Sequence, residues 1–164
     1  MTWQEVERIF PTEAEAIGHF VRTRYGGPAA CGHCGSPRVY RRRGSGKVYD
    51  CNACGNTFSP LAGTIFAKSS TDLRKWLYAL QIVAVGGPGI TGERLMQELG
   101  VTYKTAWRMR AQLRAALAVP EQAALLTALA DFGYLAGEDA GRRTADAAPP
   151  PVDWSAPHVR VSYR

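Results

Sequence analysis

The sequence predicts an α+β fold in which a small cysteine-bearing module of β-hairpins sits between helical segments and a disordered tail closes the chain. Three observations carry this. All four cysteines of the 164 residues fall in two Cys-x-x-Cys-Gly pairs, Cys31/Cys34 and Cys51/Cys54, with sixteen residues between the pairs. Hydrophobic spacing is helical before the cysteines, strand-like between them and helical again from about Ser70. From about Gly137 the chain turns to Ala, Asp and Arg around Pro149-Pro150-Pro151, a composition that buries too little apolar surface to offset ordering. Four segments follow: 1–28, an N-terminal helical segment; 29–67, the cysteine module; 68–119, a helical domain; and 120–164, a last helical stretch with the tail. At 46% hydrophobic and 21% charged residues the chain falls among ordinary globular proteins, which excludes wholesale disorder and fibrous classes. Its length excludes a large multi-domain enzyme.

Each element has a local reason. A first helix opens the chain, breaks at Pro11 and resumes after Thr12 as N-cap, with Ala16, Ile17, Phe20 and Val21 on one face, ending before Tyr25-Gly26-Gly27-Pro28. Arg38-Val39-Tyr40-Arg41 and Lys47-Val48-Tyr49-Asp50 are short β-like runs separated by a Gly44-Ser45-Gly46 turn, a hairpin flanked by cysteines. From Ser70, with Ser70 or Thr71 as cap, Leu73, Trp76, Leu77, Leu80, Val83 and Ala84 share a helical face that Gly86-Gly87-Pro88-Gly89 terminates. Thr91 to Leu99 and Thr102 to about Val119 form a short helix and a longer basic one around Gly100-Val101, with Pro120 ending the second. Glu121 to Ala130 is a further helical stretch.

The first twenty residues contain four glutamates and no apolar block, which argues against a secretory signal. The longest apolar stretch, Trp76 to Val85, contains Gln81 and falls short of the ~20 residues a bilayer requires. A cytoplasmic protein without a membrane partner is expected, and in a reducing compartment cysteines at this spacing are metal ligands before they are disulfides. A two-residue gap lets both thiolates of a pair face one point, and two such knuckles complete the tetrahedron that Zn²⁺ takes with Zn–S near ~2.3 Å. Cys31, Cys34, Cys51 and Cys54 are therefore the expected ligands of one structural Zn²⁺, with no position left for a catalytic water. Gly35 and Gly55, each following the second cysteine, are expected to let backbone N–H groups turn toward the sulfurs. A disulfide pair or a thioredoxin-like redox pair is the alternative, and His33, inside the first knuckle, is expected at the surface or behind the ligands. Four thiolates and one Zn²⁺ change the formal charge from +6 to +4.

That charge is uneven. Residues 16–114 hold fifteen Lys and Arg against Asp50, Asp72, Glu93 and Glu98, while both flanks are net acidic. No acidic residue occurs from Ala16 to Tyr49, a stretch containing Arg22, Arg24, Arg38, Arg41, Arg42, Arg43 and Lys47. Cations at this density release counterions from a phosphate backbone, so the hairpin arm points to double-stranded DNA; a merely solvated charged face is the alternative. In the last long helix Ala106, Met109, Leu113, Ala116 and Leu117 form one inward stripe and Lys104, Arg108 and Ala111 lie opposite. A recognition helix of a helix-turn-helix reads base edges from its N-terminal turns, here Tyr103, Lys104, Thr105 and Arg108. Arg108 suits guanine, and Lys104 a phosphate or a base. Trp107 either packs on the Thr71–Val85 helix or meets DNA. The bland alternative for this segment is a helical bundle with no ligand.

Phe10-Pro11, Arg24-Tyr25, Cys31-Gly-His-Cys-Gly-Ser36, Tyr49-Asp-Cys-Asn-Ala-Cys54, Phe58-Ser-Pro-Leu-Ala-Gly-Thr-Ile-Phe66 and the stretch from Trp76 to Leu99-Gly-Val-Thr-Tyr-Lys-Thr-Ala-Trp107, in that order, resemble the N-terminal region of zinc-ribbon insertion-sequence transposases of the ISXO type (the insertion sequence 1595 group). The likeness covers about the first 120 residues. It implies a DNA-binding region that precedes an RNase-H-like catalytic domain with acidic metal ligands. That family continues with a catalytic Asp in a D-E-T-Y-x-G-G pattern, which Asp131-Phe-Gly-Tyr-Leu-Ala-Gly137 matches only in part, with Phe132 and Gly133 replacing Glu and Thr and Ala136 replacing Gly. Two-metal chemistry needs several carboxylates around ions ~3.5–4 Å apart, and only twenty-seven residues follow Gly137. The expectation is a bacterial, nucleoid-associated DNA-binding protein with no catalytic residues, not an enzyme. Open alternatives are the first part of a split transposase and a zinc-ribbon interaction or regulatory module, and monomer and homo-oligomer are both open.

Overall fold

The structure, a computed structural model, describes residues 1–43 and 47–132, apart from the side chain of Pro88. The Gly44-Ser45-Gly46 turn, the tail expected beyond Gly137 and all but the first two residues of the Asp131–Gly137 motif lie outside them.

Helix α1 (Trp3–Ile9) begins in a capping box between Thr2 and Glu5. Helix α2 (Glu13–Tyr25) follows Thr12, whose backbone N–H and hydroxyl both donate to the Glu15 carboxylate, and stops at Gly26 with φ 67°. Its expected face is buried, and His19 is buried with it. Strands β1 (Val39–Arg41), β2 (Tyr49–Cys51) and β3 (Thr57–Phe58) form an antiparallel sheet in that order, with Tyr40 opposite Asp50 and Tyr49 opposite Phe58. The hairpin was legible; β3 is two residues long, too short to show a period.

Helix α3 (Leu73–Gly86) is the centre of the core, with α1, α2, α4, α5 and α6 packed around it. Its N-cap is Asp72, not Ser70 or Thr71. The Asp72 carboxylate accepts from the Arg74 N–H at 2.8 Å and pairs with the Arg74 guanidinium, so one side chain caps the helix and neutralises its first turn. Leu73, Trp76, Leu77, Leu80 and Val83 are buried as expected, whereas Ala84 is exposed. Tyr78 and Ala79 are buried as well, because neighbours cover more than one stripe of this helix. Helix α4 (Gly92–Leu99) is capped by Thr91 and ends at Gly100 with φ 58°; α5 (Tyr103–Leu117) is capped by Thr102. Pro120 does more than end α5: it is the first residue of α6 (Pro120–Ala130), where its missing N–H costs nothing and its fixed φ favours the turn. The two helices meet at 117°. No single helix among the described residues is long and apolar enough to cross a membrane.

The cysteine module shares the helical core. Leu61, Ile65 and Phe66, just after β3, are buried with the helices, and Phe66 stands edge-on between Phe20 of α2 and Trp76 of α3, with ring centres 5.6 and 5.5 Å apart. At the other end, Phe10, His19 and Phe132 cluster under α6, and the His19 Nε2 lies 3.2 Å from the Leu129 carbonyl.

Candidate metal centre and basic surface

The four cysteine sulfurs lie within 4.8 Å of one another. Cys31 Sγ is 3.7 Å from Cys54 Sγ, and Cys34 Sγ is 3.7 Å from Cys51 Sγ. A tetrahedron with ~2.3 Å metal–sulfur bonds has edges of about 3.8 Å, so the spacing is that of thiolates around one Zn²⁺. These pairs run between the knuckles, not within them, and all four cysteines are free thiols, which removes the disulfide alternative.

Each knuckle is held by the same backbone bonds. Cys31 N–H donates to Ser36 O at 3.0 Å and Cys51 N–H to Asn56 O at 2.9 Å; Gly35 N–H returns to Cys31 O at 2.8 Å and Gly55 N–H to Cys51 O at 2.9 Å. Backbone N–H groups turn toward the sulfurs: those of His33 and Ala53 lie 3.4 Å from the first cysteine of their pair, and those of Cys34, Cys54 and Asn56 also act on Cys31, Cys51 and Cys54. Gly35 and Gly55, at φ 71° and 72°, close each turn onto a carbonyl and leave the neighbouring N–H groups facing the sulfurs, as expected of them. His33 is exposed and contributes its backbone; the metal-binding grouping consists of the four cysteines.

The thiol acidities fit a cation site. Backbone N–H groups of Cys34 and His33 hold the Cys31 thiol down at about 6, and those of Cys54 and Ala53 lower Cys51. Cys54 feels the N–H of Asn56 pulling it down, yet desolvation and three neighbouring sulfurs push it up to about 12. One thiol held well down and a second lowered, beside one that resists ionisation, is the pattern a divalent cation resolves, because it lets all four carry charge together. Cys31 and Cys51 are buried while Cys34 and Cys54 face outward, so the cofactor is a structural Zn²⁺ that ties two surface turns to the sheet.

The basic residues divide into two groups. Arg42 spans the sheet: its Nε and Nη2 hold Asp50 at 2.9 and 2.6 Å, and Thr57 Oγ1 donates to the same carboxylate at 2.7 Å. That contact lowers Asp50 and raises Arg42. Lys47 turns back to the helices, 3.0 Å from the Glu13 carboxylate and 3.0 Å from Ser69 O. Arg24, lowered by burial, donates to Pro60 O at 2.6 Å and Ala62 O at 2.7 Å, fastening α2 to the turn after β3. Arg38, Arg41 and Arg43 are exposed and meet no carboxylate among the described residues.

On α5, Ala106, Met109, Leu113 and Ala116 are buried, and Lys104, Arg108 and Ala111 are exposed on the other side, with Thr105 half-buried. Tyr103 and Trp107 are 50% and 55% exposed, so about half of each ring is open to solvent. Helix α4 crosses this end of α5 at Gly92, where a Cβ would lie 3.2 Å from the Tyr103 ring and 3.8 Å from the Trp107 Cα. A glycine keeps this crossing tight without displacing the Tyr103 ring, a role that sequence position alone did not reveal. Spacing also gave no sign of Lys68, the only described non-glycine residue with positive φ.

Comparison with known proteins places this site. Residues 11–57 match the family described as transposase zinc-ribbon domain. The chain is 30% identical over 116 residues, 69% of its length, to an uncharacterized protein in transposable element ISH50 of Halobacterium salinarum. It spans 38% of that relative. No solved structure matches it. By sequence and by the tetrahedral grouping of its four thiols, residues 11–57 are a transposase zinc-ribbon domain.

Proposed function

We propose that this chain binds double-stranded DNA as the DNA-engaging part of an insertion-sequence transposase system, with the zinc ribbon as a structural support. The observation that carries the proposal is the outward side of α5: Tyr103, Lys104, Trp107 and Arg108 are exposed together at the start of the second helix of a tight helix–Gly100–helix pair. A helix-turn-helix presents this end to the major groove, with exposed aromatic rings and a lysine within reach of base edges and backbone. Arg38, Arg41 and Arg43 on the ribbon arm add a second, sequence-independent contact to phosphates. Arg42 and Lys47 serve the same surface indirectly, the first by bracing the sheet and the second by anchoring the hairpin to α2 and α3. Work at the bacterial nucleoid, in the cytoplasm, follows from such a partner.

Strand cleavage is not assigned to the described residues. Their metal-binding grouping is thiolate, and Asp131, exposed at the end of α6, stands in no cluster of carboxylates. The test is to incubate the purified zinc-loaded chain with labelled duplex in Mg²⁺ or Mn²⁺. A retarded complex without nicking or joining is expected. Absence of a complex overturns the DNA proposal, and metal-dependent nicking lost in Asp131→Ala overturns the assignment of catalysis elsewhere.

A further inference from the structure

Between the ribbon and the helices lies a cleft of about 70 Å³ lined by Lys68 and Ser69 of the linker, Trp76 of α3, and Arg108 and Gln112 of α5, with two apolar linker residues. It has room for several water-sized groups. Two features separate it from an ordinary surface crevice. Its charged lining is cationic only, and neither Lys68 nor Arg108 has an acidic partner among the described residues. Its hydroxyl is also committed as a donor: Ser69 Oγ already accepts from Trp76 Nε1 at 2.9 Å and from the Thr71 N–H at 3.2 Å, which fills both lone pairs and leaves the O–H proton to give away. Lys68 is placed there by a left-handed backbone, φ 58°, that a lysine adopts only at a cost.

The geometry points to a phosphate site: Lys68 and Arg108 clamp one phosphodiester of a bound duplex from opposite sides, and Ser69 and Gln112 donate to its oxygens. This rests on the duplex-binding proposal and deepens it. The linker between ribbon and helices becomes part of the DNA contact, and Arg108 serves the backbone in place of the guanine contact that its position on the helix suggested. A guanidinium fork and an ammonium around a tetrahedral anion is the arrangement phosphate favours.

Lys68→Gly removes the ammonium at a position where glycine is at ease, so the fold is kept. Random-sequence duplex binding by the zinc-loaded full chain is measured over a range of salt for wild type, Lys68→Gly, Arg108→Ala and the double variant. The slope of log affinity against log salt is expected to become shallower by up to about 0.9 in each single variant. The double variant is expected to lose less affinity than the product of the two single losses, because both groups address one phosphate. In parallel, inorganic phosphate is titrated and the Trp76 indole N–H resonance followed; it shifts to saturation in wild type and stays still in Lys68→Gly. Unchanged slopes, independent losses and an unmoved indole in wild type overturn the phosphate site while leaving duplex binding in place. A wild type that ignores duplex while phosphate still moves the indole overturns the DNA proposal and supports the anion site.

Discussion

Cys31 and Cys51 are each a ligand, a β-turn anchor and a buried residue at once, so the ribbon depends on them more than on Cys34 and Cys54 at the surface. Cys51→Ser is expected to abolish stoichiometric zinc and to expose the amides of residues 31–58 to rapid hydrogen exchange, while the far-ultraviolet helical signal persists; elemental analysis and exchange together check this. His19 provides a second residue-scale test. Burial holds its pKa below the ordinary value, and its Nε2 faces the Leu129 carbonyl. A folded pKa below the unfolded one means stability is complete above about 6.5 and falls as the pH drops from there toward the folded value. Urea midpoints are therefore expected to decline as the pH falls below about 6.5, and His19→Gln to flatten that decline. The zinc ligands were fully legible in the sequence because two-residue spacing is itself the chemistry. The fate of the arginines was not. Arg24, Arg42 and Lys47 read as members of one basic run, and only the fold shows that they reach carbonyls and carboxylates on other segments.

At the scale of elements, the junction between α2 and the turn after β3 is held by Arg24 and by the Phe20–Phe66–Trp76 stack. Arg24→Ala strands two carbonyls that a charged donor satisfied, and is expected to cost about 2 kcal/mol, read as a lower urea midpoint with unchanged m. The turn between α3 and α4 offers another test. A Cβ on Gly86 would collide with the side chain of Ile90, which is buried. Gly86→Ala is expected to destabilise by about 1–3 kcal/mol through overpacking, even though alanine is the better helix former, and a thermal melt distinguishes the two effects by sign. The helices were legible because period, caps and glycine stops agree. Asp72 in place of Ser70 or Thr71 as cap was not, since its carboxylate both accepts from the Arg74 N–H and pairs with the Arg74 guanidinium. Two-residue β3 carries no pattern, and its pairing comes from the second knuckle folding Thr57 back onto Asp50.

At the scale of the whole molecule, the proposed DNA reading assigns the exposed cations of the zinc ribbon, the linker and the α4–α5 pair to one partner. Their cations are left exposed while the neighbouring ones are spent inside the fold. The measurement that tests this most directly is the salt dependence of random-duplex affinity for the zinc-loaded chain, compared with a variant in which Arg38, Arg41 and Arg43 are glutamine. With roughly 0.9 per neutralised phosphate, the wild-type slope of log affinity against log salt is expected at about −3 to −5, and the variant is expected to be shallower by about 2 to 3 at unchanged zinc content. A slope that is flat in wild type, or the same in both proteins, contradicts the assignment of this surface to DNA.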